Sequence, residues 1–310
     1  MRIIYDLKDL DKKLENPVLT IGNFDGVHKG HLALFEKVKD RARAINGQSV
    51  VMTFEPHPVK VTRPGKGLSI ITPIKQKLRL IADAGIDVIL CLPFDRQFSS
   101  ISAHDFVKDI LLGTIGIKEI VVGYDYSFGN KRQGDIGLLK KMGDEMGFKV
   151  HTIGPIHLNK VLVSSTSIRN FIKEGDLDHA RILLGRDYQI TGKVTSGAGR
   201  GGKVLGFPTA NLIPGEELIP KKGVYAVIAE MDNREYYGVC NIGNNPTFGQ
   251  NALSIETHMF NFTGDTVGKD LTVRFMHRLR EERTFAGIAE LSAQISTDIN
   301  KAKTLFNLNE

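Results

Sequence analysis

The apolar periodicity of this chain changes once, near residue 184, and that change implies two bodies of different class. Before it, short apolar runs (VLTIGNF, SVVMTF, DVILCLPF, EIVVGYDY, KVHTIG) alternate with helical spacing such as HLALFEKVKDRARAI. That order predicts a doubly wound parallel sheet with helices on both faces. Thr72-Pro73 and Gly85 bracket one helix, and Ser102 with Asp105 resembles a capping box that opens another. After LDHARILLGRDY the chain reads as strands joined by turns: YQITGKVT, GVYAVIAEM, REYYGVCNIG, SIETHMFNF and DLTVRFMHRLR, with Asp232-Asn233 and Thr263-Gly264-Asp265 as turn residues. Leu271, Val273, Phe275 and Leu279 fall on one strand face, and Ile288, Leu291, Ile295, Ile299 and Ala302 return to helical spacing. A small antiparallel barrel closed by a helix is expected at 185–310, behind an α/β domain at 1–184. A length of 310 residues suits two domains.

Charge is as uneven as periodicity. The net charge is +6, yet residues 184 to 310 carry 14 basic and 14 acidic side chains, so the whole surplus lies in the first half. No clustered basic run marks a nucleic-acid stripe, and an anionic small ligand fits a mild surplus equally well; no nucleic-acid partner is expected. Cys91 and Cys240 fall one in each half inside apolar runs, without pairing or metal-ligand spacing, as in a reduced cytosolic protein. The N-terminus MRIIYDLKDLDKK lacks the apolar stretch of a signal peptide, and no apolar run approaches the ~18 residues of a membrane span. A cytoplasmic location without membrane association follows as an expectation; self-association stays open.

GNFDGVHKGH places Gly22, Asn23, Phe24, Asp25, His28, Gly30 and His31 between the first long strand and the first helix. Helix N-terminal amides favour anions there, and two imidazoles beside them can stabilise charge that builds in phosphoryl or nucleotidyl transfer. Paired surface histidines are often merely solvated. A zinc site would need a spacing of four and a third ligand. SSTSIR, Ser164 to Arg169, offers hydroxyls and a guanidinium at another helix start, a second phosphate clamp or an ordinary helix cap.

The glycine-rich SGAGRGGKVLGFPTANL contains two false matches. Gly197 to Lys203 match a Walker A loop except for its last residue, but Val204 replaces the required hydroxyl and Gly206-Phe207-Pro208 prevents the helix that should follow. Gly197, Gly199, Gly202 and Val204 match the protein-kinase glycine loop, but the chain has neither a His-Arg-Asp nor an Asp-Phe-Gly string. What remains is GFPTAN, where Thr209 and Asn211 lie on one side of an extended segment and could hold a magnesium ion. The plain alternative is a turn around Pro208.

In this order, GNFDGVHKGH, GYDYSFG with RQGDIGLL, SSTSIR, GFPTANL, GVYAV, NIGNNPTFG, IETHMF and FMHRLREERTF resemble the prokaryotic bifunctional riboflavin kinase/FAD synthetases. The resemblance covers essentially the whole chain. It implies a Rossmann-like nucleotidyltransferase domain followed by a Greek-key barrel. The expected chemistry is ATP-dependent phosphorylation of riboflavin to FMN, then adenylylation of FMN by a second ATP, giving FAD and pyrophosphate, with Mg2+ as cofactor. In the first half it implies ATP binding by Gly22, Asn23, Phe24, Asp25, His28, Gly30, His31, Ser165, Thr166 and Arg169, with His28 and His31 catalytic, and flavin binding by Asp125 and Tyr126. In the second it implies ATP binding by Gly197, Lys203, Gly206, Pro208, Thr209 and Asn211, metal binding by Thr209 and Asn211, and Glu256 as base for the ribityl hydroxyl. Tyr126 stands where the family usually has Phe, and Lys203 where it usually has Arg. Two rivals remain at this level: a His-x-Gly-His transferase with another substrate, and a flavin- or RNA-binding protein that has lost catalysis.

Overall fold

The computed structural model describes residues 1–10, 13–65, 67–196, 207–244 and 253–308. By their contacts these divide into two compact units, Met1–Ser165 and Thr166–Glu310.

The first unit is built on six parallel strands: β1 Arg2–Ile4, β2 Val18–Ile21, β3 Ser49–Glu55, β4 Val88–Pro93, β5 Glu119–Gly123 and β6 Lys149–Ile153, in the order β1-β4-β3-β2-β5-β6. Five of them are the expected apolar runs; β1, too short to show a period, adds an edge beside β4. Successive side chains alternate between faces. Leu19, Met52, Leu90 and Ile120 pack on one side with Phe106, Val107, Leu111, Leu139 and Met142. Val51, Ile89 and Cys91 pack on the other with Phe35 and Ile81. Burial on both faces explains why these strands read as continuous apolar runs.

Strand order reverses between β2 and β5. From β2 the chain proceeds through β3 to β4 on one side, then returns to lay β5 on the other. The loops after Ile21 and Gly123 therefore flank a topological switch point, where open α/β sheets bind ligands. The helices Lys29–Ala44 and Ile74–Asp83 follow β2 and β3. Ser102 caps as expected: its hydroxyl accepts from the Asp105 amide at 3.1 Å and donates to the Asp105 carboxylate at 2.7 Å.

The second unit is a closed antiparallel barrel. A hairpin His157–Leu158 and Val161–Leu162 (β7, β8) precedes it. The barrel strands are β9 Tyr188–Thr195, β10 Ala210–Pro214, β11 Gly223–Met231, β12 Arg234–Asn244, β13 Leu253–Met259 and β14 Asp270–Arg280, in the order β10-β13-β12-β11-β14-β9. The meander β11-β12-β13 with β14 returning beside β11 is a Greek key. Asp232 and Asn233 both have positive φ, 53° and 60°, the turn whose twist suits a two-residue hairpin.

Two details correct the periodicity reading. Leu271, Val273 and Phe275 are buried together, but register shifts between β11 and β14 move Leu279 to the other face, where it packs with Val224, Ala226 and Ile299. The terminal helix Ile288–Leu305 covers that outer face through Ile295, Ile299 and Ala302, while Ile288 at its first position is exposed.

Candidate active sites

In the first unit, the GNFDGVHKGH loop is tied down at every turn. Gly22 extends the sheet, its amide donating to the Met52 carbonyl at 3.1 Å. The next residues leave the strand through positive φ at Phe24 (49°), Gly26 (94°) and Val27 (38°). For the two non-glycine residues this costs roughly 1–3 kcal/mol each, offset by burial of both side chains. Phe24 stands edge-on to His31 (5.1 Å) and Phe35 (5.0 Å).

His28 is the N-cap of helix Lys29–Ala44: its Nδ1 accepts from the His31 amide at 3.3 Å, and its carbonyl accepts from the His31 and Leu32 amides. A cap through Nδ1 leaves any ring proton on Nε2. The His28 and His31 rings stack at 3.5 Å and 19°. Gly30 makes the stack possible, since a Cβ there would lie 3.1 Å from the His28 ring. The glycine thus leaves the imidazole its place.

Asp25 is 3% exposed, and its carboxylate accepts from the Ile71 and Thr72 amides at 3.0 Å each. Its backbone carbonyl accepts from Ser165 Oγ at 2.7 Å, 140 residues along the chain. Asp25 thereby brackets the loop from two directions. The Asn23 carbonyl accepts from Thr53 Oγ1 at 3.3 Å and from Lys77 Nζ at 3.2 Å. Of the second clamp, Thr166 is exposed and Arg169 half-buried on helix Ser165–Glu174.

Beyond β5, Asp125 is exposed and Tyr126 half-buried, stacked on Phe128 at 5.6 Å and 17°. Burial pushes the Tyr126 phenol well above its usual pKa, so the hydroxyl stays protonated. Phe54, Phe94, Phe98 and Phe106 continue the aromatic chain at centroid spacings of 5.4 to 6.1 Å.

In the barrel, register assembles the polar residues. Asn211 on β10 stands opposite Glu256 on β13, which stands opposite Asn241 on β12. Directly paired residues share a face, so one row of amide, carboxylate and amide crosses three strands. It alternates with buried Leu212, Ile255, Thr257, Cys240 and Ile242. Burial pushes the Cys240 thiol up to about 12, so it takes no nucleophilic part at neutral pH. Both cysteines are free and buried, as the sequence implied.

His258 Nδ1 lies 2.8 Å from the Pro208 carbonyl. A carbonyl only accepts, so Nδ1 carries the proton and pins the segment that ends at Thr209 and Asn211. The Phe207 ring meets His258 edge-on at 5.7 Å. The Asn211 side-chain oxygen is buried without a hydrogen-bond partner among the described residues, and Thr209 is half-buried beside it in sequence. Gly197, Lys203 and Gly206 lie outside the described residues.

Comparison with known proteins matches both halves of the chain. The FAD synthetase family model matches residues 10–167 and the riboflavin kinase model residues 184–306. The bifunctional riboflavin kinase/FMN adenylyltransferase of Escherichia coli (strain K12) is 36% identical, over 100% of this chain and 99% of its own length. The protein of the same description from Buchnera aphidicola subsp. Schizaphis graminum is 38% identical, over 99% of this chain and 100% of its own.

The chain belongs to the bifunctional riboflavin kinase/FMN adenylyltransferase family.

A solved Streptococcus pneumoniae structure, described as a macrolide-efflux protein, is 31% identical with a TM-score of 0.86 and covers 96% of each chain. Among the described residues, no helix here is long and apolar enough to cross a membrane. In the adenylyltransferase half the sequence missed Lys77, a lysine 4% exposed whose ammonium reaches the Asn23 carbonyl in the GNFDGVHKGH loop. In the kinase half it missed Asn241. The signal for Asn241 was the NIG string itself, which could be placed beside Glu256 only once strand register was known.

Proposed function

We propose that residues 185–310 phosphorylate riboflavin with ATP to give FMN, and that residues 1–184 adenylylate FMN with a second ATP, releasing pyrophosphate and FAD. The observation that carries this division is that each family match contains its own polar constellation: stacked imidazoles at a helix N-terminus in one, the Asn211–Glu256–Asn241 row in the other.

In the adenylyltransferase half, the FMN phosphate attacks the α-phosphorus of ATP in line and pyrophosphate leaves. Positioning and charge stabilisation supply the catalysis, without a covalent intermediate. His28 and His31 contact the phosphates at the helix N-terminus; Gly22, Asn23, Phe24, Gly30 and the Asp25 backbone shape the loop; Ser165, Thr166 and Arg169 hold the triphosphate; Asp125 and Tyr126 face the flavin.

In the kinase half, Glu256 accepts the proton of the ribityl hydroxyl as that oxygen attacks the γ-phosphorus of ATP, the bond to the β–γ bridging oxygen breaks and ADP leaves. Gly197, Lys203, Gly206 and Pro208 contribute to the ATP site. The orphaned Asn211 oxygen is a donor atom suited to Mg2+, which takes few protein ligands, and Thr209 supplies a second. When bound, the ion neutralises phosphate charge. His258 orients this segment through Pro208 and leaves the proton transfer to Glu256. The substrates are small molecules, the location is the cytoplasm, and neither nucleic acid nor membrane takes part.

The test is a time course of purified protein with riboflavin, ATP and Mg2+, separating riboflavin, FMN and FAD. FMN should rise first and FAD follow. Absence of FMN removes the kinase assignment, and failure to convert supplied FMN removes the other.

A further inference from the structure

Lys77 lies on the inner face of helix Ile74–Asp83. Its Nζ donates to the Asn23 carbonyl at 3.2 Å and to the Phe54 carbonyl at 3.3 Å. One ammonium thus clips the ends of β2 and β3, at the side of the sheet where the nucleotide loop begins. Among the described residues it makes no ion pair: the charges that act on it through space are Asp25 in the loop and Glu55 at the end of β3. A buried ammonium that hydrogen-bonds only to carbonyls and meets carboxylates only through space is expensive, because neither replaces full hydration or a direct counter-ion. Methionine would fill the same volume without that cost. The charge therefore needs a use beyond packing.

The loop supplies one. Asp25 sits within it, and a carboxylate beside a triphosphate site repels the ligand. Its hydrogen bonds to the Ile71 and Thr72 amides disperse that charge but do not cancel it.

We infer that Lys77 is a positioning residue for FMN adenylylation: its ammonium fixes the Asn23 carbonyl and offsets the Asp25 charge, so that the ATP phosphates meet a positive potential at the loop. The inference rests on the reading that this loop holds the ATP phosphates.

Lys77→Met should raise KM for ATP in the conversion of FMN to FAD about tenfold, about 1.4 kcal/mol of binding, with kcat changed by less than about threefold, the pattern of lost uniform binding. Riboflavin phosphorylation should be unchanged. Lys77→Arg, which keeps the charge, should recover most of the affinity.

A second measurement needs no variant. Burial lowers the Lys77 pKa from the ordinary 10.5, so in the interval below that value the folded protein loses this charge while an unfolded lysine keeps it. As pH rises through that interval two trends should oppose. Stability gains, because the folded state binds fewer protons than the unfolded state, while ATP affinity for adenylylation falls. Lys77→Met should abolish the affinity trend. An unchanged KM in Lys77→Met, an alkaline KM rise that persists in Lys77→Met, or a flat wild-type KM across the interval would each overturn the role. His28→Ala measured in parallel separates the failures. If it leaves FAD synthesis intact, the loop reading fails; if it abolishes synthesis while Lys77→Met binds ATP normally, only the Lys77 inference fails.

Discussion

The two proposed ATP sites meet the same phosphate charge with opposite resources. In the parallel-sheet half, the loop after β2 runs into a helix, whose first amides have no intrahelical acceptor, and two histidines stand beside them. The barrel has closed its sheet, so the strand amides are consumed by neighbouring strands. In the proposed kinase site the phosphate charge falls to side chains and a cation, and the polar row with its orphaned amide oxygen is what the barrel offers. The topology of each half therefore decides whether backbone amides are left over to meet an anion.

Glu256→Gln should show the largest difference between the halves. Removal of a general base costs ~10²–10⁴ in rate, so FMN formation should fall by that factor while conversion of supplied FMN to FAD stays at the wild-type rate. Kinase turnover within a few-fold of wild type would mean that the hydroxyl needs no base or finds another.

His28→Ala or His31→Ala should slow FAD formation by ~10²–10³, with FMN accumulating from riboflavin. His28 also caps its helix, a role worth about 1 kcal/mol, so alanine should lower the melting temperature as well. His28→Asn restores a capping acceptor without an imidazole. It should regain stability and not activity; recovery of both would reduce His28 to a cap.

The metal contrast predicts a smaller effect. Asn211→Ala and Thr209→Ala should weaken the kinase about tenfold at limiting Mg2+, in line with ~1.4 kcal/mol for a lost ligand interaction, and recover in part as Mg2+ is raised. Glu256→Gln should show no such recovery. Equal insensitivity of all three variants to Mg2+ would break the assignment of the metal to this segment.

Legibility followed the range of the interactions. Five sheet strands and five barrel strands declared themselves because each carries its own apolar run or alternation. β10 read only as an extended segment, since Pro208 and the glycines before it resemble a turn and its pairing partners β9 and β13 lie elsewhere in the chain. Leu279 misled because a register shift resets the alternation. The imidazole pair was visible from its spacing, whereas the bracket on Asp25 comes from amides 46 and 47 residues away. Lys77 could not be found at all from pattern: on an amphipathic helix a lysine is read as solvent-facing, and only the end of the sheet turns it inward.

The smallest effect concerns where the two halves part. The riboflavin kinase match begins at residue 184, yet the residues from Thr166 onward form one compact unit with the barrel. Helix Leu177–Leu184 buries Leu177, Ala180, Leu183 and Leu184 and packs on β9 and β14. Gly175 lies so close to Arg278 that a Cβ would come within 2.8 Å of its Cδ. The Asn211–Glu256–Asn241 row, however, lies on β10, β13 and β12, none of which is β9 or β14. Removing the helix should therefore cost stability without reaching the chemistry. A fragment of residues 166–310 and one of 185–310 should phosphorylate riboflavin with kinetic constants within about threefold of the full chain, the scatter allowed for distant, independent changes. The shorter fragment should melt at lower temperature, because four buried apolar side chains worth roughly 1.5–3 kcal/mol for each leucine are gone. Thermal unfolding and steady-state assays of both fragments check this. A folded 185–310 fragment without kinase activity would show that residues 166–184 reach the site and that the functional boundary lies at Thr166.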